Sequence, residues 1–285
     1  MVSPAERSGI IGFKPTRNLI SSEGLIYASE RLDTVGLLTR NVSDAMHILL
    51  EIVYHSSHHL PQTKLKLIQD INPACRSLDL AGIRIGVPWH LKDVTTLHHA
   101  KLEPFERVLS VLKRAGATIK YDVVVSGAEE YDIMSPSEKS IILDTDMKLA
   151  MNSYLSALTT NPQCVHSLHD LIDFTKSCPS EEFPSRNVEC FERAEATDPN
   201  NELYVKMLSR DEYFVGEGGI EGALGRHRCT VLLMPTPCAT LQTFAAKAGS
   251  PVMSVPLGSY PEGTEIETDA KNGLVTVAPG IPYVS

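Results

Sequence analysis

Three closely spaced histidines could suggest a metal site in this chain. His55, His58 and His59 lie in the polar stretch HSSHHLPQTKLK. Protein zinc sites combine several nitrogen, sulfur or oxygen ligands at set spacings. No cysteine or carboxylate lies at ligand spacing from these histidines, so we expect a solvated loop rather than a metal centre.

Two further groups combine histidines and carboxylates on predicted helices. His166, His169 and Asp170 have i, i+3 spacing, but helical di-metal sites take their ligands from several helices, and this chain has one such group. Asp144 and Asp146 are two positions apart, so they lie on different faces of a helix and do not converge. We expect neither a metal site nor an acid–base pair here.

Cys238 follows Met-Pro-Thr-Pro near the end of a predicted strand, where α/β proteins often place functional groups. A nucleophilic cysteine needs a matched histidine, and the sequence places none. We therefore expect a structural thiol. The remaining cysteines form no Cys-x-x-Cys pair and are too sparse for a disulfide scaffold, which favours reduced thiols and a cytoplasmic protein; they are Cys75, Cys164, Cys178, Cys190 and Cys229.

Composition excludes several classes of protein. The 285 residues carry a net charge of −9, and no cluster of Lys and Arg stands out that could neutralise phosphates, so we expect no nucleic-acid partner. No run approaches the roughly 18 apolar residues that span a bilayer, and the start lacks the apolar segment of a secretory signal. The length suits one large domain or two small ones.

The predicted elements indicate an α/β fold with a mixed sheet flanked by helices. The opening is rich in Gly and Pro and is predicted as loop to about Leu38, followed by a helix that Asn41 begins with a capping pattern. Residues 80–126 read as a strand–helix–strand unit with parallel strands. Residues 135–225 are helical, and residues 228–285 contain continuous apolar strands that predict burial on both sheet faces.

The opening stretch resembles the second half of the amidase signature, which reads G-G-S-x-R-x-P-A, then G-x-x-G-x-K-P-T, then L-D-x-x-G-P-x-x-R-x-x-x-D-A. The matching residues keep the spacing of that motif: Pro4-Ala5, Gly9, Gly12, Lys14-Pro15-Thr16, Ser22, Gly24, Leu32-Asp33, Gly36, Arg40 and Asp44-Ala45. Leu37 stands where Pro is usual, and Asn18 where Gly is usual.

The likeness extends along most of the chain. LAGIRIGVP resembles the family's strand after the signature, VLLMPTP and AAKAGSPVMSVPLGSYPEG resemble its later strands, and GLVTVAPGIPY is similar to the tail of fungal amidases. The resemblance implies one partial amidase-signature domain over residues 1–285. Its expected parts are the second half of the signature motif (residues 1–54), the strand–helix–strand unit (80–126), the helical region (135–225) and the C-terminal strands (228–285).

The resemblance also implies a chemistry: an attacking serine, a bridging serine and a neutral lysine cleave a carboxamide without metal or cofactor. The family's nucleophile lies four residues before the proline that matches Pro4, so it would precede Met1. Ser3 is three residues too late for that role, and Lys14 belongs to the structural Lys-Pro-Thr turn. We expect no catalytic, cofactor or metal residue within this sequence.

We therefore expect an amidase-like hydrolase that is inactive as this chain and would take a small-molecule amide if completed. Two alternatives stay open. The sequence could be a fragment of a mis-split or truncated gene for an active amidase. It could also be a non-catalytic pseudoenzyme that binds a partner or small molecule on the same scaffold. Substrate, pathway and oligomeric state are not determined by these residues.

Overall fold

The computed structural model of the chain describes residues 2–55, 66, 71, 77–91, 98–269 and 273–284. The chain divides into two compact units. The sheet unit comprises residues 1–22, 34–128 and 215–285, and the helical unit comprises residues 23–33 and 129–214. The assignment of the whole chain to one domain stays a prediction.

The strands that the described residues form all lie in the sheet unit, together with several helices, and the helical unit is built from helices. The helices are α1 (Val2–Ser8), α2 (Val42–His55), α3 (Leu102–Arg114), α4 (Ala128–Asp132), α5 (Pro136–Ser156), α6 (Leu168–Ser177), α7 (Glu189–Glu195), α8 (Glu202–Val215), α9 (Ile220–His227) and α10 (Ala239–Ala248). The strands are β1 (Ile11–Lys14), β2 (Leu37–Thr39), β3 (Arg84–Gly86), β4 (Thr118–Lys120), β5 (Val231–Leu232), β6 (Val252–Ser254), β7 (Pro256–Ser259), β8 (Glu267–Thr268), β9 (Val275–Val277) and β10 (Pro282–Val284).

A parallel sheet in the sheet unit confirms the predicted strand–helix–strand unit. β3 lies between β4 and β5 and pairs in parallel with both. The connecting helix α3 buries Phe105 and Leu109 against Ile85 and Ile119 of the sheet. The helix ends before Gly116, whose φ of 102° is a conformation that glycine adopts at helix ends.

An antiparallel sheet holds the opening of the chain. β1 pairs with β2 on one side and with β6 on the other. Helix α2 covers this sheet and packs Leu49 and Val53 against Leu37. The predicted cap is confirmed, because the Asn41 side chain accepts a hydrogen bond from the Asp44 amide at 2.8 Å and donates to its carboxylate at 2.9 Å.

The prediction of loop to about Leu38 is confirmed for residues 15–36, but α1, β1 and the start of β2 also lie in this segment. These elements have seven, four and three residues, too few to show a hydrophobic period in the sequence. Their stability comes from tertiary contacts: Ala5 of α1 is completely buried, and Ile11 of β1 is 3% exposed. Each element buries only a few apolar side chains, so its place in the core can be recognised only from the packing.

The prediction that the later strands are buried on both faces is also wrong for the described residues. Val231 of β5 is 45% exposed, Met253 of β6 is 38% exposed, and Val255 between β6 and β7 is 40% exposed. β5 and β6 lie at the edges of their sheets, where fewer neighbours cover them. We call these three side chains together the exposed apolar strand face, although Val231 and Met253 belong to two different sheets.

The helical unit is organised around the long helix α5. A capping box begins this helix: the Ser135 hydroxyl accepts from the Glu138 amide, and the Glu138 carboxylate accepts from the Ser135 amide. The apolar core of the unit joins α5 to α6 and α7 through Leu168, Ile172 and Ala194.

An ion pair with a buried carboxylate links α5 to α7. The Asp144 carboxylate, with 2% of its side chain exposed, accepts from Arg193 Nε at 2.7 Å and from Nη2 at 2.9 Å. These bonds raise the pKa of Arg193. The bidentate pair satisfies a carboxylate that would otherwise be buried without a partner.

The remaining strands form small antiparallel pairs, β7 with β10 and β8 with β9. Both strand residues of β8 are exposed, and residues 270–272, between β8 and β9, lie outside the described part. His58, His59 and Cys75 also lie outside it. Within the described ranges, no helix has the length and apolar character needed to cross a membrane.

Two glycines of α9 provide a matched test of the packing in the sheet unit. A Cβ on Gly222 would lie 2.0 Å from the Glu217 carbonyl oxygen, whereas a Cβ on Gly225 would have no atom within 4 Å. We expect Gly222→Ala to destabilise the chain by about 1–3 kcal/mol because backbone must move. Gly225→Ala should be neutral or stabilising by up to about 1 kcal/mol. Urea unfolding of both variants measures this, and equal stabilities would contradict the described packing.

The Asp144–Arg193 pair provides a test in the helical unit. Arg193→Met removes the partner of a buried carboxylate, so we expect a loss of about 2 kcal/mol in the free energy of unfolding. The control is Arg186→Met, because Arg186 pairs with Glu182 on the surface with 79% of its side chain exposed, and such pairs contribute about 0–1 kcal/mol. A loss no greater for Arg193→Met than for the control would rule out the structural role of this pair.

Candidate functional site

A cavity of about 300 Å³ lies within the helical unit. Loop residues and two helices line it: Glu30, Arg31, Asp146, Leu149, Ala150, Ser153 and Tyr204. Four of these residues belong to α5 and have i, i+3, i+4, i+7 spacing, so they occupy one face of that helix. We call it the helical-unit cavity.

The Asp146 carboxylate is the most heavily bonded group of the cavity. Its Oδ2 atom accepts from Ser29 Oγ at 2.6 Å and from Arg31 Nε at 3.0 Å. Its Oδ1 atom accepts from Tyr204 OH at 3.2 Å and from Arg31 Nη2. Arg31 Nη2 also donates to Tyr204 OH at 2.7 Å. Both oxygens of the carboxylate therefore have two donors each.

The network fixes the charge state of its members. The hydrogen bond to Asp146 raises the pKa of Arg31, so the guanidinium stays charged. Burial raises the pKa of Tyr204, and the nearby Asp146 charge adds to that rise, so the phenol stays protonated. With all its acceptor positions occupied, Asp146 is poorly suited to act as a general base or nucleophile, and its chemistry is structural.

Two other polar groups line the same cavity outside this network. The Glu30 carboxylate and the Ser153 hydroxyl have no hydrogen bond or ion pair with the part of the chain that the structure describes. Glu30 is exposed, and Leu149, which also lines the cavity, is 45% exposed. The cavity thus combines one unpaired carboxylate with an apolar wall, which suits binding rather than bond cleavage.

The described lysines of the sheet unit include one that is fully buried and paired. Lys101 is 3% exposed, and its Nζ donates to Glu6 Oε1 at 2.9 Å and to Thr236 Oγ1 at 3.1 Å. The Lys101 ammonium is held by a carboxylate and a hydroxyl of the protein itself, so its contacts are structural. It serves as an anchor between α1 and the residues that follow β5.

Lys14 lies at the end of β1, and its Nζ donates to the Pro15 carbonyl at 3.2 Å. Burial, and secondarily the charge of Arg17, lowers the pKa of Lys14. This is the direction that a base would need, but the contact is with a main-chain carbonyl, and its structural role stays a prediction. Ser3 lies in α1, and its side chain is outside the described part of the chain.

The other candidate residues do not come together. His169 faces Asp173 at 3.6 Å on the surface of α6, and Asp170 accepts from the His166 amide at 2.9 Å. Cys238 precedes α10 as its N-cap residue. Within the described ranges, no group of three or more His, Cys, Asp or Glu side chains has the arrangement of a metal site.

Asp144 and Asp146 diverge, as their spacing predicts, because each bonds to a different arginine. The sequence indicated the two carboxylates but not their partners. Arg31 is 115 positions from Asp146, and no local pattern connects residues at that separation. The available signal was the presence of two carboxylates in a helix with several apolar neighbours, which implies buried charge that must be paired.

The signature match is supported by comparison with known proteins. The family model described as Amidase matches residues 1–271. A fungal protein from Arthroderma benhamiae that bears the name "Putative amidase" is 34% identical over 289 aligned residues, which cover 99% of this chain and 47% of that protein.

Solved structures give the same result for the fold. The native peptide amidase from Stenotrophomonas maltophilia superposes with a TM-score of 0.68 and 25% identity, over 90% of this chain and 53% of that one. An amidase family protein from Bacillus anthracis superposes with a TM-score of 0.67 and 20% identity, over 100% of this chain and 51% of that one.

The chain spans about half the length of the relatives it matches. Within that half, the match to the family model covers almost all residues and includes the motif positions of the opening stretch. By sequence and by fold, the chain belongs to the amidase family.

Proposed function

We propose that the protein to which this chain belongs hydrolyses the C–N bond of a small-molecule carboxamide, and that this chain supplies scaffold for that reaction. In this proposal the attacking serine, the bridging serine and the lysine base come from polypeptide outside these 285 residues. The observation that carries it is the spacing of the motif, in which Pro4 matches the proline four residues after the family's nucleophile.

The positions of the motif residues support a scaffold role. Gly9 has a φ of 60°, and a Cβ on it would lie 2.7 Å from Pro282 Cβ, so only glycine fits beside β10. Asp33 accepts from the Ala28 amide at 2.7 Å and from the Ser29 amide at 3.1 Å, which holds the loop of the helical unit. These residues act on the backbone rather than on a substrate.

The exposed apolar strand face supports the proposal that more polypeptide is needed. Strands of continuous apolar sequence are normally covered on both faces, and Val231 is 45% exposed at a sheet edge. A second polypeptide segment bearing the catalytic groups would cover such a face. We place the reaction in the cytoplasm as part of the same proposal, because the six cysteines are not spaced as a disulfide framework.

A non-catalytic binding protein is the second candidate function. The helical-unit cavity favours it, because its carboxylates are either saturated or at the surface, and a cavity can bind a small molecule without cleaving it. A stoichiometric partner or ligand, together with no turnover of any amide by a completed protein, would favour this candidate over the hydrolase.

The first prediction from the proposal concerns activity. We expect the purified 285-residue chain to release no ammonia or amine from a panel of simple amides and peptide amides. A chimera in which the chain follows the corresponding upstream segment of the Arthroderma benhamiae relative should hydrolyse at least one of them. Replacement of the nucleophilic serine of that segment by alanine is the control and should abolish turnover. Turnover by the isolated chain, blocked by a serine-directed inhibitor, would contradict the proposal.

The second prediction concerns the exposed apolar strand face. Val231→Lys places a charge at an open sheet edge, which opposes edge-to-edge association, so we expect it to raise the soluble monomeric fraction of the isolated chain. Val205→Lys is the control, since Val205 is 53% exposed on helix α8 rather than on a strand. Light scattering measures the monomeric fraction of both variants and of the parent chain. An equal rise in that fraction for the two variants would argue against an uncovered sheet edge.

A further inference from the structure

One charged group of the helical-unit cavity has no ion-pair partner among the residues that the structure describes. Arg31 and Asp146 form a bidentate pair, so their charges offset each other. The Glu30 carboxylate also lines the cavity and has no ion pair with any described residue. Two carboxylates and one guanidinium thus leave the cavity with one net negative charge near neutral pH, and that charge belongs to Glu30.

The rest of the wall decides which cation fits. Leu149 and Ala150 present apolar surface from the same face of α5. The Ser153 hydroxyl, one helical turn further on, is available to accept a hydrogen bond. A volume of about 300 Å³ is at the lower end of small-molecule pockets, so it suits a compact ligand with a short alkyl part.

From these groups we propose that the helical-unit cavity binds a small aliphatic amine in its protonated form. The ammonium group donates to the Glu30 carboxylate and to the Ser153 hydroxyl, and the alkyl chain packs on Leu149 and Ala150. A metal cation is a poorer fit because the wall has no cluster of unoccupied oxygen ligands. A carboxylate ligand is also a poorer fit, because it would face Glu30 while Arg31 is bonded to Asp146 and Tyr204.

The inference does not depend on the proposed function. It concerns equilibrium binding to the helical unit of the chain as it stands, with no turnover and no catalytic group involved. A failure of amine binding would leave the hydrolase proposal intact, and inactivity of the chimera would leave amine binding intact.

The experiment is a ligand-observed NMR titration of the full 285-residue chain with butylammonium chloride. Butanol and sodium butyrate are the matched neutral and anionic probes. We expect saturable binding of butylammonium, weaker binding of butanol and none of butyrate. Added salt should weaken the binding of butylammonium, since Glu30 is exposed to solvent.

Variants assign the effect to Glu30. Glu30→Gln keeps the shape of the side chain and removes its charge, so we expect binding about fivefold weaker, the effect of an exposed ion pair. Glu30→Lys should abolish it. The control is Glu212→Gln, an equal charge change at an exposed position of α8 that is not part of the cavity wall. Circular dichroism establishes that each variant folds.

The inference would be overturned by no saturable binding of butylammonium, by equal affinity in Glu30→Gln and the parent chain, or by a preference for butyrate. The last would mean that Arg31 rather than Glu30 selects the ligand. An equal loss of affinity in Glu30→Gln and Glu212→Gln would mean that overall charge rather than this cavity attracts the amine.

Discussion

Burial of two carboxylates in one helix is the constraint on which the helical unit depends. Asp144 and Asp146 are 1% and 8% exposed, and they face different sides of α5. A buried carboxylate without a partner costs several kcal/mol, so each needs its own cation. Arg193 of α7 pairs with the first, and Arg31 of the loop before residue 34 pairs with the second. The arrangement of α7, α5 and that loop follows from this requirement.

The same constraint determines what the cavity can do. Ser29, Arg31 and Tyr204 fill the acceptor positions of Asp146, so a strong charge lies in the wall without being available to a ligand. The charge that the cavity offers to a ligand is then that of Glu30, which is exposed to solvent. A carboxylate held in a structural ion pair of this kind is inert, although its chemistry suggests reactivity. The choice of ligand then depends on a neighbouring residue that has fewer hydrogen bonds.

How far the sequence could predict this structure depends on the range of the interactions. Helix α2 was predictable because Asn41 and Asp44, three positions apart, form its cap. Helix α5 was predictable from its length and from the Pro136 start. The partners of Asp146 were not, because Arg31 and Tyr204 are 115 and 58 positions away. The exposure of Val231 was not predictable from the sequence either. An apolar strand has the same sequence pattern whether or not another element packs over it.

Several residues of the motif that identifies the family have contacts with backbone or with close-packed neighbours in this chain. Gly9 permits a close approach to Pro282, Lys14 ends the strand β1, and Asp33 binds two main-chain amides. Such positions require a particular residue type for geometric reasons, independently of any reaction. A chain can therefore match the family over 271 residues by meeting the demands of the fold. Membership of the family and possession of its chemistry are separate properties, and the second depends on side chains that converge on one reacting bond.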